Sequence, residues 1–199
     1  MVAEDGLITA AHCLYDKEKK TWADRIMFCL AFSNGYANDT YGSWVYREYA
    51  VPKAWLEKGD YASRAYDVGF IKLRLGTKIH GQIGHVVRQL PLLVDMEPVE
   101  DTTTWLSVGY PAIKIPGYDF DGENMWQCSG AFCDKWEIEV NGKEGNLTPG
   151  ASGGPWLFER PKGYYAVNGI NSSVSPSKTQ NYASYFGKWV EEFFTWYFG

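Results

Sequence analysis

Gly150-Ala151-Ser152-Gly153-Gly154-Pro155 places a serine inside a glycine-rich turn, late in a chain of 199 residues. A serine hydroxyl is a weak nucleophile until a neighbouring base takes its proton. That base is usually a histidine, held in one tautomer by a buried carboxylate. The chain has only three histidines, His12, His80 and His85, so the search is short. Thr9-Ala10-Ala11-His12-Cys13 ends a short apolar run, and Tyr66-Asp67-Val68-Gly69 opens another. Taken singly, each has a plain structural reading: a turn serine, a strand-end aspartate, a core histidine. Together they supply nucleophile, base and orienting carboxylate. Gly150 lets the backbone turn so that its N–H and that of Ser152 converge, as an oxyanion hole requires.

Chain order separates two architectures. Gly150-x-Ser152-x-Gly154 also fits the nucleophile elbow of α/β-hydrolases, where the order is Ser, then Asp or Glu, then His. No His or Asp follows Ser152, which removes that reading. The order His12, Asp67, Ser152 is that of the chymotrypsin fold.

The rest of the sequence is compatible with an all-β protein. Short runs rich in β-branched and aromatic residues alternate with Gly, Asn, Asp and Pro. They are Gly6–Ala11, Arg25–Phe32, Ser43–Val51, Val68–Leu73, Thr103–Val108, Trp136–Val140, Pro155–Phe158 and Tyr164–Ile170. From Ala183 to Phe198 the spacing becomes that of an amphipathic helix docked on its own domain. Gly76–Val99 is irregular and reads as the connection between two halves. His80 and His85 lie in that stretch and read as surface or linker residues, without a metal-ligand pattern.

The apolar fraction is 45% and the charged fraction 22%, which is globular composition. At this mass roughly 70% of the unfolded surface is buried on folding, enough for a real core. A net charge of −5 argues against a phosphate-binding surface, since nucleic-acid binders need a basic footprint. No apolar run approaches the ~20 residues that cross a bilayer. Met1 leads directly into Val2-Ala3-Glu4-Asp5-Gly6 without a secretory leader, so either the protein is cytoplasmic or the numbering starts within a longer precursor.

The three signatures resemble those of trypsin/chymotrypsin-like serine peptidases. Further segments resemble the secreted microbial branch that includes glutamyl endopeptidase-like enzymes: His12-Cys13-Leu14-Tyr15-Asp16, Tyr41-Gly42-Ser43-Trp44, Val108-Gly109-Tyr110-Pro111-Ala112 and Ser152-Gly153-Gly154-Pro155-Trp156-Leu157. The resemblance runs from Gly6 to the C-terminal helix. It implies two antiparallel Greek-key β-barrels, residues 1–88 carrying His12 and Asp67 and residues 89–199 carrying Ser152, with the C-terminal helix on the second. The implied activity is that of a serine endopeptidase acting on protein or peptide substrates, with no cofactor, metal, nucleic acid or membrane. The alternative is a catalytically idle relative of the same fold, used for binding.

The resemblance also assigns finer roles. Asn146, six residues before Ser152, would lie at the base of the primary specificity pocket. Asn171 would stand where glutamate-specific relatives carry a histidine, and Asn171-Ser172-Ser173-Val174 would form an edge that pairs with substrate backbone. Ala151 replaces the aspartate that many relatives use to hold a newly cut N-terminus. Uncharged side chains are therefore expected in the pocket. Secretion is implied as well. The simplest disulfide pairing is Cys13–Cys29 with Cys128–Cys133; four free thiols are the alternative. The sequons at Asn146 and Asn171 would sit in the substrate cleft and read as unused.

Relatives place the catalytic histidine after the third strand of the first barrel, yet only eleven residues precede His12. The expected first barrel therefore lacks its first strand and most of its second. Its edge should be open or improvised, filled by a separate fragment, by a second copy, or by nothing.

Overall fold

A computed structural model describes residues 1–100, 102–136 and 140–199. The first lobe contains β1 (Gly6–Thr9), the small hairpin β2 (Tyr15–Asp16) and β3 (Thr21–Trp22), then β4 (Met27–Cys29), β5 (Ser43–Ala50) and β6 (Gly69–Leu73). The second contains β7 (Thr104–Gly109), β8 (Trp126–Trp136), β9 (Val140–Glu144), β10 (Pro155–Arg160), β11 (Tyr164–Val174) and β12 (Gln180–Ser184). The C-terminal helix spans Lys188–Phe198.

In the second lobe β10-β11-β12-β9-β8-β7 close into a six-stranded antiparallel barrel. Trp105 and Trp156 fill its interior with ring centroids 5.3 Å apart. Both indole N–H groups donate to buried amides: Trp105 to Asn168 Oδ1 at 2.8 Å and Trp156 to Asn171 Oδ1 at 2.7 Å. A large aromatic is stable inside a barrel when its polar handle finds such a partner.

The first lobe is an open sheet of order β1-β6-β5-β4, so β1 and β4 are its edges. Its central strand β6 is buried on both faces, which is why Gly69-Phe70-Ile71-Lys72-Leu73 is a nearly continuous apolar run. Ile71 and Leu73 point into the half-barrel with Leu7, Leu14, Trp44 and Ile83. Phe70 points the other way, into the C-terminal helix, with Phe193 at 4.9 Å, Phe194 at 5.7 Å and Phe198 at 5.4 Å between ring centroids.

The open side is occupied by the connecting segment. Ile83 is fully buried against the half-barrel core, with Ile79, Val86 and Val87 packed around it. Trp44 donates its indole N–H to the Gly81 carbonyl at 3.1 Å. The Gly84 N–H donates to Glu4 O at 2.8 Å, the Leu90 N–H donates to Met1 O at 3.0 Å, and His85 pairs with the Glu4 carboxylate at 2.9 Å. From Pro91 onward the segment turns to the second lobe: Leu93 N–H donates to Val167 O, and Val167 N–H to Pro91 O, both at 2.9 Å. The connection, which was not among the expected fillings, covers that side, and His85 is part of it.

Three expectations need correction. The helix begins at Lys188, because Ala183 and Ser184 belong to β12, paired with Asn141 and Val140 of β9. β8, β9 and β12 were not expected; Gly130 and Gly142 interrupt the apolar pattern, and Gly130 packs against the Glu144 backbone. Of the expected strand Trp136–Val140, residues 137–139 lie outside the described residues. Finally, all four cysteines are free thiols. Cys13 ends the 3-10 turn past β1 and Cys29 ends β4, with no disulfide between them. Cys128 and Cys133 sit five residues apart on β8, roughly 16 Å of extended strand, whereas a disulfide needs Cα atoms within ~7 Å.

Candidate active site

β1 and β6 are antiparallel neighbours in a register that places Thr9 opposite Gly69. Residues just past Thr9 and just before Gly69 therefore meet at one end of the sheet. Past Thr9 the chain turns through a single 3-10 turn, Ala11–Cys13, with Ala10 and Ala11 fully buried. Before Gly69, Asp67 sits at φ −76°, ψ 58°, with Val68 N–H bonded to Tyr66 O at 2.8 Å. Those values define an inverse γ-turn. It aims the carboxylate at His12.

Asp67 holds His12 twice. Its Oδ2 is 2.7 Å from His12 Nδ1, and its Oδ1 accepts the His12 backbone N–H at 2.9 Å. The second lobe in turn holds Asp67. Ser172 Oγ donates to Asp67 Oδ2 at 2.6 Å, and Ser184 Oγ accepts the Asp67 N–H at 3.1 Å while donating to Arg64 O at 2.7 Å. Asp67 is 2% exposed. Burial works against a charged His12, but its hydrogen bond to Asp67, a further one with Cys13, and the Asp67 charge outweigh this and push it up to about 10.

Ser152 stands on the loop between β9 and β10. Gly150 adopts φ +105°, and a Cβ there would meet Tyr110 O at 2.6 Å and Ala112 N at 2.8 Å. The Pro149 carbonyl accepts the Ala112 N–H at 2.8 Å. In a planar trans peptide the N–H points opposite the C=O, so the Gly150 N–H faces away from Ala112. Among the described residues neither the Gly150 nor the Ser152 N–H donates within the chain. Gly153 brings the loop against the first lobe: a Cβ there would meet Thr9 Oγ1 at 2.3 Å.

Ser152 opens onto a cavity of about 320 Å³, also lined by Leu147, Thr148, Pro149, Ala151, Asn171, Ser172, Ser173, Val174 and Asn181. Asn146 does not line it; Asn146 lines a neighbouring cavity with Tyr118, Trp126 and Cys128. Thr148 and Asn181 are polar side chains that do line the cavity beside Ser152. Both are committed: Thr148 Oγ1 donates to Ile113 O at 2.9 Å and accepts Ile113 N–H at 3.2 Å, while Asn181 accepts Leu147 N–H at 3.2 Å and donates to Leu147 O at 2.7 Å. Asn171 is also committed, accepting from Trp156 and donating to Val108 O at 3.0 Å and Ala151 O at 3.1 Å. Ser172 is the bulged residue of β11 between Asn171 and Ser173, which turns its hydroxyl toward Asp67. Ser152 shares its cavity with Ser172, whose hydroxyl bonds the Asp67 that holds His12; among the described residues no hydrogen bond joins the Ser152 and His12 side chains.

No protein-family model matches the chain, and no curated protein matches it by sequence. Solved structures match it over nearly its whole length. Protease Anisep from Arthrobacter nicotinovorans superposes with a TM-score of 0.80 at 25% identity, over 98% of this chain and 84% of that one. The chain has the chymotrypsin-like serine protease fold. Two more proteases of this fold agree. Thermostable serine protease AL20 from an extremophilic microorganism gives 0.79 at 24% identity, over 96% of this chain and 85% of that one. A Glu endopeptidase solved with MPD gives 0.77 at 19% identity, over 98% and 82%. Among the described residues no helix is long and apolar enough to cross a membrane.

Proposed function

We propose that the chain is a secreted serine endopeptidase that hydrolyses peptide bonds through an acyl-enzyme on Ser152. The observation that carries this reading is the double clamp of Asp67 on His12, with Asp67 bonded in turn to Ser172, which lines the same cavity as Ser152. With Nδ1–H given to Asp67, the His12 Nε2 is the basic atom. It takes the Ser152 proton as Oγ attacks the substrate carbonyl, then gives that proton to the leaving amine. The Gly150 and Ser152 N–H groups receive the developing oxyanion. Water repeats the sequence to free Ser152.

Substrate placement follows from β11. Its pairing with β10 ends at Pro155 opposite Ile170, while β12 continues beside it to Val174. Ser172-Ser173-Val174 therefore offers a strand edge on the β10 side, suited to strand addition by an extended peptide. Among the described residues no charged side chain lines the adjoining cavity, and its amides and Thr148 are bonded within the protein. A charged substrate side chain would be desolvated there without a partner, so uncharged side chains are the expected occupants. Asn146 keeps no place in this assignment.

One observation favours the alternative, a catalytically idle relative: the unformed Ser152–His12 hydrogen bond. Such bonds are often long in free enzymes and tighten with substrate. A fluorophosphonate probe separates the readings. The folded chain should be labelled at Ser152, and Ser152→Ala should lose both labelling and peptide turnover while keeping its fold. A folded chain that resists the probe and cleaves no member of a peptide library would establish the idle reading.

A further inference from the structure

The connection between the lobes forms a second depression with the β10–β11 hairpin. It is a groove of about 500 Å³, and it shares no lining residue with the cavity beside Ser152. Its apolar floor is made by Leu90, Pro91, Pro161 and the rings of Tyr164 and Tyr165. Arg88, Arg160 and Lys162 stand around it, all exposed, and among the described residues no acidic side chain lines it.

Three cations at one groove are unexpected in a chain of net charge −5. Among the described residues none of the three has a carboxylate within 4.0 Å. Arg88 lies over the Tyr164 ring at 4.9 Å from its centroid. Tyr164 remains 50% exposed. The hairpin holds its tip in one shape: Pro161 fixes its own φ, and Lys162 and Gly163 both take left-handed values of 70° and 72°. The groove is therefore preformed, apolar within and basic around its rim.

That combination selects a ligand class. A small inorganic anion needs several donors converging from within a pocket; here the cations are spread around an apolar floor. A flexible acidic chain fits better, with an apolar side chain in the groove and carboxylates reaching outward to guanidinium and ammonium groups. We propose that this groove docks an extended acidic peptide segment, seating an apolar side chain against Tyr164 and Pro161 and its flanking carboxylates against Arg88, Arg160 and Lys162. It lies at the far end of β10 from Pro155, roughly 17 Å along the strand. The proposal is independent of any chemistry at Ser152.

The test uses the full chain carrying Ser152→Ala, so that no probe is cut. A fluorescein-labelled octapeptide of alternating Glu and Leu is titrated and followed by anisotropy. It should bind, and more weakly as salt rises. Arg88→Glu/Arg160→Glu/Lys162→Glu should weaken it on the order of tenfold or more, from three partly screened charge contacts. Tyr164→Ala should weaken it severalfold, and a Lys–Leu octapeptide should not bind. These positions are exposed, so unchanged melting curves would show that the variants remain folded. Equal affinity in the parent and the triple variant would overturn the proposal, as would no binding by the folded parent. Tighter binding of an oligothymidylate of the same length would instead make the groove a nucleic-acid site.

Discussion

The second lobe closes its sheet with backbone hydrogen bonds, strand to strand around a full ring. The first leaves β1 and β4 unjoined and closes with side chains instead, using the connection on its inner side and the C-terminal helix on its outer side. Barrel closure removes edges outright, whereas packing only covers them. The distinction matters because the two lobes carry different parts of the site. Ser152 and the N–H groups of Gly150 and Ser152 stand on the closed barrel, with Asn171 tying their loop to Val108. His12 and Asp67 stand on the open sheet, and bonds from Ser172 and Ser184 of the closed lobe hold Asp67.

If packing substitutes for closure in the first lobe, removing its central ring should cause the largest loss. Phe70→Ala should cost about 3–5 kcal/mol in chemical denaturation, the range for deleting a buried phenylalanine. Hydrogen exchange in that variant should quicken in β1 and β6 before β7–β12. Uniform acceleration across both lobes would break the comparison.

The closed lobe should respond more locally. Asn171→Ala leaves the Trp156 N–H and two carbonyls without their partner, and should cost about 1–3 kcal/mol. Because the Asn171 side chain bonds Ala151 O beside the nucleophile, probe labelling of Ser152 should slow as well. A stability loss with unchanged labelling would show that the loop does not depend on this tie.

The smallest effect concerns protons. His12 must be neutral to act as base, and it is raised from 6.5 to about 10. Labelling of Ser152 should therefore increase with pH toward about 10. The sign for stability is opposite. A group whose folded value is raised stabilises fully below its unfolded value, so the His12 contribution is complete below 6.5 and is lost as pH rises through about 10. Cys13 supports the protonated form by a hydrogen bond, so Cys13→Ala should move the labelling midpoint to lower pH. A midpoint that stays put would remove Cys13 from the site's electrostatics.

What the sequence revealed was local. His12, Asp67 and Ser152 stood out because each sits in a short motif and because their order excludes the competing fold; the structure joins Asp67 to His12 by two hydrogen bonds. The apolar strands were legible where burial on both faces makes them continuous, as in β6. β8 and β12 were not, since Gly130 and the polar residues of Gln180–Ser184 break the apolar pattern that would mark a strand. Ser172 was read only as part of an edge; its bond to Asp67 depends on a bulge that no local pattern announces. Asn146 was placed by counting back from Ser152, and the backbone turns it into a different cavity. Ser184 carries no sequence signal at all, being joined to Asp67 across 117 positions.

The docking of the last helix on β1 and β6 has a consequence for biosynthesis. A ribosome delivers β1 long before Phe198, yet the outer face of Gly6 and Phe70 is covered by Phe198. Domains fold as units while the chain emerges, but this sheet must wait for the helix Lys188–Phe198 to bury that face. His12 and Asp67 are thus made well before the helix that backs their sheet, and the end of the sheet that carries them is fixed only once that helix has been delivered.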